Sequence, residues 1–69
     1  MVLLTRDGHE LAQGDLILYG DDIFEVTEDG EKVKMMKCIN CDVVNGTYNL
    51  QPPAIEISQK EASQFYFLG

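Results

Sequence analysis

Two cysteines in the run Cys38-Ile39-Asn40-Cys41 and a single histidine, His9, are the side chains of this 69-residue chain best equipped for metal or redox chemistry. Two thiolates at that spacing can grip a zinc ion from a tight turn, yet a structural zinc site wants four ligands. One chain offers Cys38, Cys41, His9 and a carboxylate; a dimer could instead pool two cysteine pairs. As a redox motif the pair lacks the helix N-terminus that lowers a thiol pKa. Two ordinary cysteines, flanking a bend between strands and kept reduced, are the plainer expectation. His9 follows the Asp7-Gly8 turn and is expected to face Arg6 across it as a solvated turn histidine. Thr5, Thr27, Thr47, Ser58 and Ser63 each have a turn, strand or cap explanation. A hydrolytic triad needs histidine beside both a carboxylate and a nucleophile, and no such set is legible here. The scattered glycines form no phosphate loop. Asp21-Asp22 and Glu28-Asp29 crowd turn tips without the spacing of a calcium loop. These absences point away from an enzyme.

Charge is the next guide. The formal net charge is −7, and residues 1–31 hold nine acids against one arginine, whereas residues 32–69 hold four lysines against three acids. A field of this sign repels phosphate backbones and steers basic partners toward the N-terminal half. Acidic charge also keeps a small domain soluble, whatever else it does. No run approaches the ~20 apolar residues of a membrane span. Met1-Val2-Leu3-Leu4 gives way at once to Thr5-Arg6-Asp7, so no signal-peptide core is expected and the cytoplasm is the default location.

The elements that must carry these residues are short strands. Asp7-Gly8, Asp29-Gly30 and Asn45-Gly46 each sit between apolar-bearing runs, and Gly20-Asp21-Asp22 falls among them. Such pairs tolerate the positive φ of tight hairpin turns. With Asp29-Gly30 as a two-residue loop, Val26 faces Val33, Phe24 faces Met35, Glu25 faces Lys34 and Thr27 faces Lys32, as cross-strand pairing favours. A three-residue Gly20-Asp21-Asp22 loop sets Leu18 against Phe24 and Leu16 against Val26, leaving Ile17 and Tyr19 on the opposite face. Met35-Met36 breaks the alternation, which a β-bulge or bend would repair; otherwise the strand stays regular and Lys37 lies at its solvated end. Asn45-Gly46 pairs Val44 with Thr47, Val43 with Tyr48 and Cys41 with Leu50. Gln51-Pro52-Pro53 is expected to end that strand, because proline donates nothing to a ladder. Ala54-Ile55-Glu56-Ile57 alternates again. Ser58-Gln59-Lys60-Glu61 reads as a capping box, stapled by Ile57 and Ala62, for one helical turn over 59–64. Phe65-Tyr66-Phe67-Leu68 closes the chain as a last strand.

One all-β domain over residues 1–69 follows, a small barrel or strongly curled antiparallel meander with one short helical turn near the C-terminus. From about residue 14 to 68 this resembles a small Src-homology-3-like barrel, a likeness of architecture that carries no family motif. There is no tryptophan, and Tyr19, Tyr48 and Tyr66 are the residues left to supply a reduced aromatic groove.

The function expected is that of a non-enzymatic protein-interaction module, of the kind found among small accessory or inhibitor proteins of phages and bacteria. Its interface would combine Asp21, Asp22, Glu25, Glu28 and Asp29 with Tyr66 and nearby apolar residues, and its partner would present a basic surface. A sharper form is an acidic domain that imitates nucleic acid to block a basic protein. The four large apolar side chains at residues 65–68 add a homodimer or partner contact through the C-terminal strand. Two alternatives stand beside this: a zinc- or thiol-dependent domain centred on Cys38 and Cys41, and a small barrel binding single-stranded nucleic acid through Lys32, Lys34, Lys37 and the aromatics. The charge balance opposes the last.

Overall fold

The computed structural model describes residues 2–42 and 44–69. Strands β1 (Leu16–Tyr19), β2 (Asp22–Asp29), β3 (Lys32–Asp42) and β4 (Thr47–Glu56) are followed by helix α1 (Gln59–Ala62) and strand β5 (Tyr66–Phe67). They make one antiparallel five-stranded sheet in the order β4-β3-β2-β1-β5. The chain is therefore all-β, as its turn spacing predicts. It takes the curled-meander form and is not closed: β4 and β5 are the two edges.

The turns lie where the glycines put them, but Gly20 and Gly30 each take the first central position of their hairpins. Gly20 and Gly30 both have φ of +62°, the one positive value a type II′ turn needs. The loops are then Gly20-Asp21 and Gly30-Glu31, and the register moves. Between β2 and β3, Val26 faces Met35, Thr27 faces Lys34 and Phe24 faces Lys37. This is two residues from the expected pairing. An even shift keeps each side chain on its face, so Phe24, Val26, Val33 and Met35 still share the core side. Between β1 and β2 the shift is one residue: Ile17 faces Phe24 and Leu18 faces Ile23. That inverts β1. Ile17 is fully buried and Tyr19 packs against the core, while Leu18 stands on the opposite face, half-buried.

The core is one layer on one side of the sheet. Ile17, Phe24, Val26, Val33 and Met35 meet Leu3 and Leu11 of an N-terminal hairpin, and Ile57, Ala62 and Phe65 from around α1. Burying a side chain such as Ile17, Val26 or Phe65 contributes about 1.5–3 kcal/mol each. Tyr19 leans on Phe65, with ring centroids 4.9 Å apart. The Ser58 capping box forms in full, with Ser58 Oγ accepting from the Glu61 amide. Ile57 and Ala62 are both buried, as a staple requires. The helix is one turn, and the aromatic run pairs with β1 through Tyr66 and Phe67, with the Leu68 amide also donating to the Leu16 carbonyl at 2.8 Å.

β4 departs furthest from expectation. It runs through Pro52-Pro53, whose peptide bond is cis, because β4 is an edge strand and its outer side needs no ladder donors. The irregularity expected in β3 at Met35-Met36 lies across from it. Met35 faces Ile55 but Lys37 faces Gln51, so β4 carries the extra residues while β3 stays in step with β2. At the far end Asp42 faces Thr47 and Cys38, not Cys41, faces Leu50. The expected Val43–Tyr48 pair lies outside the described residues.

The outer edge of β5 is occupied. The Phe65 carbonyl accepts from the Arg6 amide at 2.9 Å, and the Phe67 amide donates to the Asp7 carboxylate at 3.4 Å.

Candidate functional site

The charged residues named from sequence do not form one surface. Asp21 and Asp22 stand at the β1–β2 turn, and Asp22 pairs with Lys37 at 3.5 Å. Glu28 and Asp29 lie at the other end of β2, about 20 Å away at the rise of a strand. Glu25 is half-buried on the outer face, between Leu16 and Met36 on the neighbouring strands. Tyr66 is on β5, with the Arg6 guanidinium 5.5 Å from its ring centre. Tyr19, Tyr48 and Tyr66 also go separate ways, to the core and to the two edge strands.

A different set converges. An open groove of about 910 Å³ lies where the β2–β3 turn meets the end of β4 and the start of α1. Asp29, Glu31, Glu56 and Glu61 line it, over the buried side chains of Val33 and Ile57, with Lys32 the lysine in its wall. The geometry follows from the register. The Gly30-Glu31 turn sets Glu31 at the tip, and continuation of β4 past the prolines brings Glu56 alongside Lys34 on β3. A backbone bond from the Ile57 amide to the Val33 carbonyl, 2.8 Å, holds the floor together. Glu61 is fixed by its capping bonds to Ser58. Asp29 is shared with Lys34, 3.3 Å away. Only Asp29 of these carboxylates was named from sequence as an interface residue; Glu61 was read as a cap alone, and bringing it together with Glu31 and Glu56 needed the II′ turns and the unbroken β4.

The lysines do not make a basic strip. Lys32 and Lys34 point to the outer side of β3, Lys37 to the other, and Lys34 and Lys37 are held by Asp29 and Asp22.

Cys38 and Cys41 are joined by a disulfide, with Cα atoms 5.8 Å apart. Each sulfur is bonded to the other, so the pair is neither the two reduced cysteines of the plainer expectation nor the zinc ligands of the alternative. Among the described residues no group of three or more histidine, cysteine or acidic side chains could hold a metal ion. His9 is elsewhere and is not a solvated turn residue. It faces Thr5 rather than Arg6, since the loop has three residues: the Thr5 amide donates to the His9 carbonyl at 2.8 Å. Its ring stacks on Phe67 at 3.6 Å, and Nε2 lies 2.9 Å from Asp15 Oδ2. No sequence signal marks this long-range contact. Beside it, the buried Thr5 hydroxyl donates to Asp7 and accepts from the His9 amide. Donation from Thr5 holds the exposed Asp7 carboxyl below the usual carboxylate range.

Neither a family model, nor a characterised protein, nor a solved structure gives a significant match to this chain. The groove and the disulfide are therefore read from their own chemistry. Among the described residues no helix is long and apolar enough to cross a membrane.

Proposed function

We propose that this protein is a non-enzymatic interaction module that receives a basic segment of another protein in the groove between the β2–β3 turn and α1. The observation that carries this is the convergence of Asp29, Glu31, Glu56 and Glu61 above the apolar floor of Val33 and Ile57. Arginine and lysine have an apolar stem and a charged head, and such a site suits both parts. The negative charge of the whole chain adds attraction at a distance and speeds encounter. A small bacterial or phage accessory protein acting on a basic partner fits this description. The binding test uses a labelled peptide of alternating arginine and leucine, titrated in low salt against the intact protein and against a Glu31→Lys/Glu56→Lys variant. Binding should weaken at least tenfold in the variant and fall with rising salt. Equal affinity of the two proteins for the peptide would refute the assignment.

A second reading, a domain whose behaviour depends on its thiols, is supported by the Cys38–Cys41 disulfide. That bond also favours a non-reducing compartment over the cytoplasm expected from sequence, since cytosolic thiols are held reduced.

A further inference from the structure

The β3–β4 hairpin beyond Cys38 is built differently from the rest of the molecule. Pairing of β3 with β2 runs from Lys32 to Cys38, and among the described residues β3 has only β4 for a partner from Ile39 onward. Among the described residues, none of the core lies in this arm. Among its described residues, the large apolar side chains of Ile39, Tyr48 and above all Val44, which is 94% exposed, face solvent instead. The side-chain bonds that shape it are polar and exposed. Asp42 accepts from the Asn45 amide at 3.1 Å and from Asn45 Nδ2 at 2.6 Å, and Asn49 Nδ2 reaches the Asn40 carbonyl at 3.5 Å. Water competes with every one of these.

At the base of the arm the ladder is irregular. Ile39 faces Asn49 but Asp42 faces Thr47, so β3 carries one extra residue there. Asn40 sits in that bulge with φ of +52°, a conformation asparagine tolerates better than most side chains. The Cys38–Cys41 bond spans this same bulge. A bulge in a solvent-exposed two-stranded ribbon is free to migrate along the strand, since no buried face fixes the register. A covalent link across it removes that freedom.

We infer that the Cys38–Cys41 disulfide is a redox-controlled brace that fixes the register of the β3–β4 arm and hence the presentation of Val44 and Tyr48. This rests on the thiol-dependent reading and is independent of the groove. Release requires a dithiol reductant. Its thiolate attacks Cys41, the more accessible of the two sulfur-bearing residues. A mixed disulfide forms, and Cys38 leaves as a thiolate that takes up a proton. The second thiol of the reductant then displaces Cys41 and closes its own disulfide. Two electrons and two protons pass to the protein, and the reductant is oxidised.

The experiment compares backbone amide exchange and heteronuclear relaxation in three samples: oxidised protein, protein reduced with dithiothreitol, and a Cys38→Ala/Cys41→Ala variant. In the reduced and variant samples, protection of amides in Ile39–Asn49 should fall at least tenfold and their order parameters drop. Amides of β1, β2 and α1 should stay unchanged, and oxidised glutathione should restore the reduced sample alone. An arm equally ordered in all three samples would overturn the proposal. So would loss of protection throughout the sheet on reduction, which would make the bond a general staple. Peptide binding at the groove, measured on the same reduced sample, should be unaltered, so a failure of either proposal is seen separately.

Discussion

The one-residue shift between β1 and β2 makes a direct prediction, because it exchanges the environments of two adjacent side chains. Ile17 is fully buried in the core and Leu18 is half-buried on the opposite face. Truncating a fully buried isoleucine to alanine costs about 2–5 kcal/mol, the removed methyl groups and the cavity both contributing. The same truncation at a half-buried leucine loses roughly half the apolar burial and leaves no closed cavity, about 1 kcal/mol. A domain of this length has only about 3–10 kcal/mol in total, so Ile17→Ala removes much of that margin. Ile17→Val keeps the measurement within range: it removes one methyl, costs about 1 kcal/mol and lowers the Tm by about 4–8 °C. The assay is urea unfolding followed by circular dichroism on Ile17→Val, Ile17→Ala, Leu18→Val and Leu18→Ala. The slope should be unchanged and the midpoint should move. Each Ile17 variant should be less stable than its Leu18 counterpart. The reverse order would place Leu18 in the core and refute the register described above.

Other perturbations test other joints of the molecule. Ser58→Ala removes the side chain that accepts from the Glu61 amide and should cost about 1 kcal/mol, read as a lower urea midpoint. Gly30→Ala should cost about 1–2 kcal/mol through its left-handed backbone; a Cβ there meets nothing within 4 Å, so an unchanged midpoint would show that the turn is not of the type assigned. Asp7 is held below the usual carboxylate range, first by the Thr5 hydroxyl. Its folded form therefore binds its proton less readily than its unfolded form, and its contribution is full at neutral pH. That contribution is lost as the pH falls from the ordinary carboxylate range through the lower folded value. The gap in urea midpoint between the parent and Asp7→Asn should be constant near neutrality and close on acidification; a gap that persists into strong acid would contradict this.

What the sequence made legible was the number of hairpins and the alternation of their strands. What it left open was which residues occupy the centre of each turn. Asp29-Gly30 and Gly30-Glu31 are both plausible loops, and they differ by two residues in pairing, so the faces of β2 and β3 come out alike. At Gly20 the difference is one residue, and Leu16-Ile17-Leu18-Tyr19 is apolar on both faces, so composition could not reveal the inversion. Pro52-Pro53 misled for a related reason. Proline excludes an interior strand, but whether β4 is interior depends on the order of the sheet. The capping box, whose partners are three residues apart, was found in full from sequence. The groove was not, because Glu31, Glu56 and Glu61 come together only once these non-local pairings are known.

An open sheet ordinarily offers two rows of unpaired amides and carbonyls to any passing strand. Here the prolines interrupt one row, and Arg6 and Asp7 fill the other. Aromatic Tyr66 and Phe67 thus sit in a strand whose backbone is already spoken for. A second copy seeking to extend the sheet through β5 has first to evict the N-terminal hairpin, which draws Leu3 and Leu11 out of the core. Extension of the sheet through β5 would thereby be coupled to loss of the N-terminal hairpin from the core.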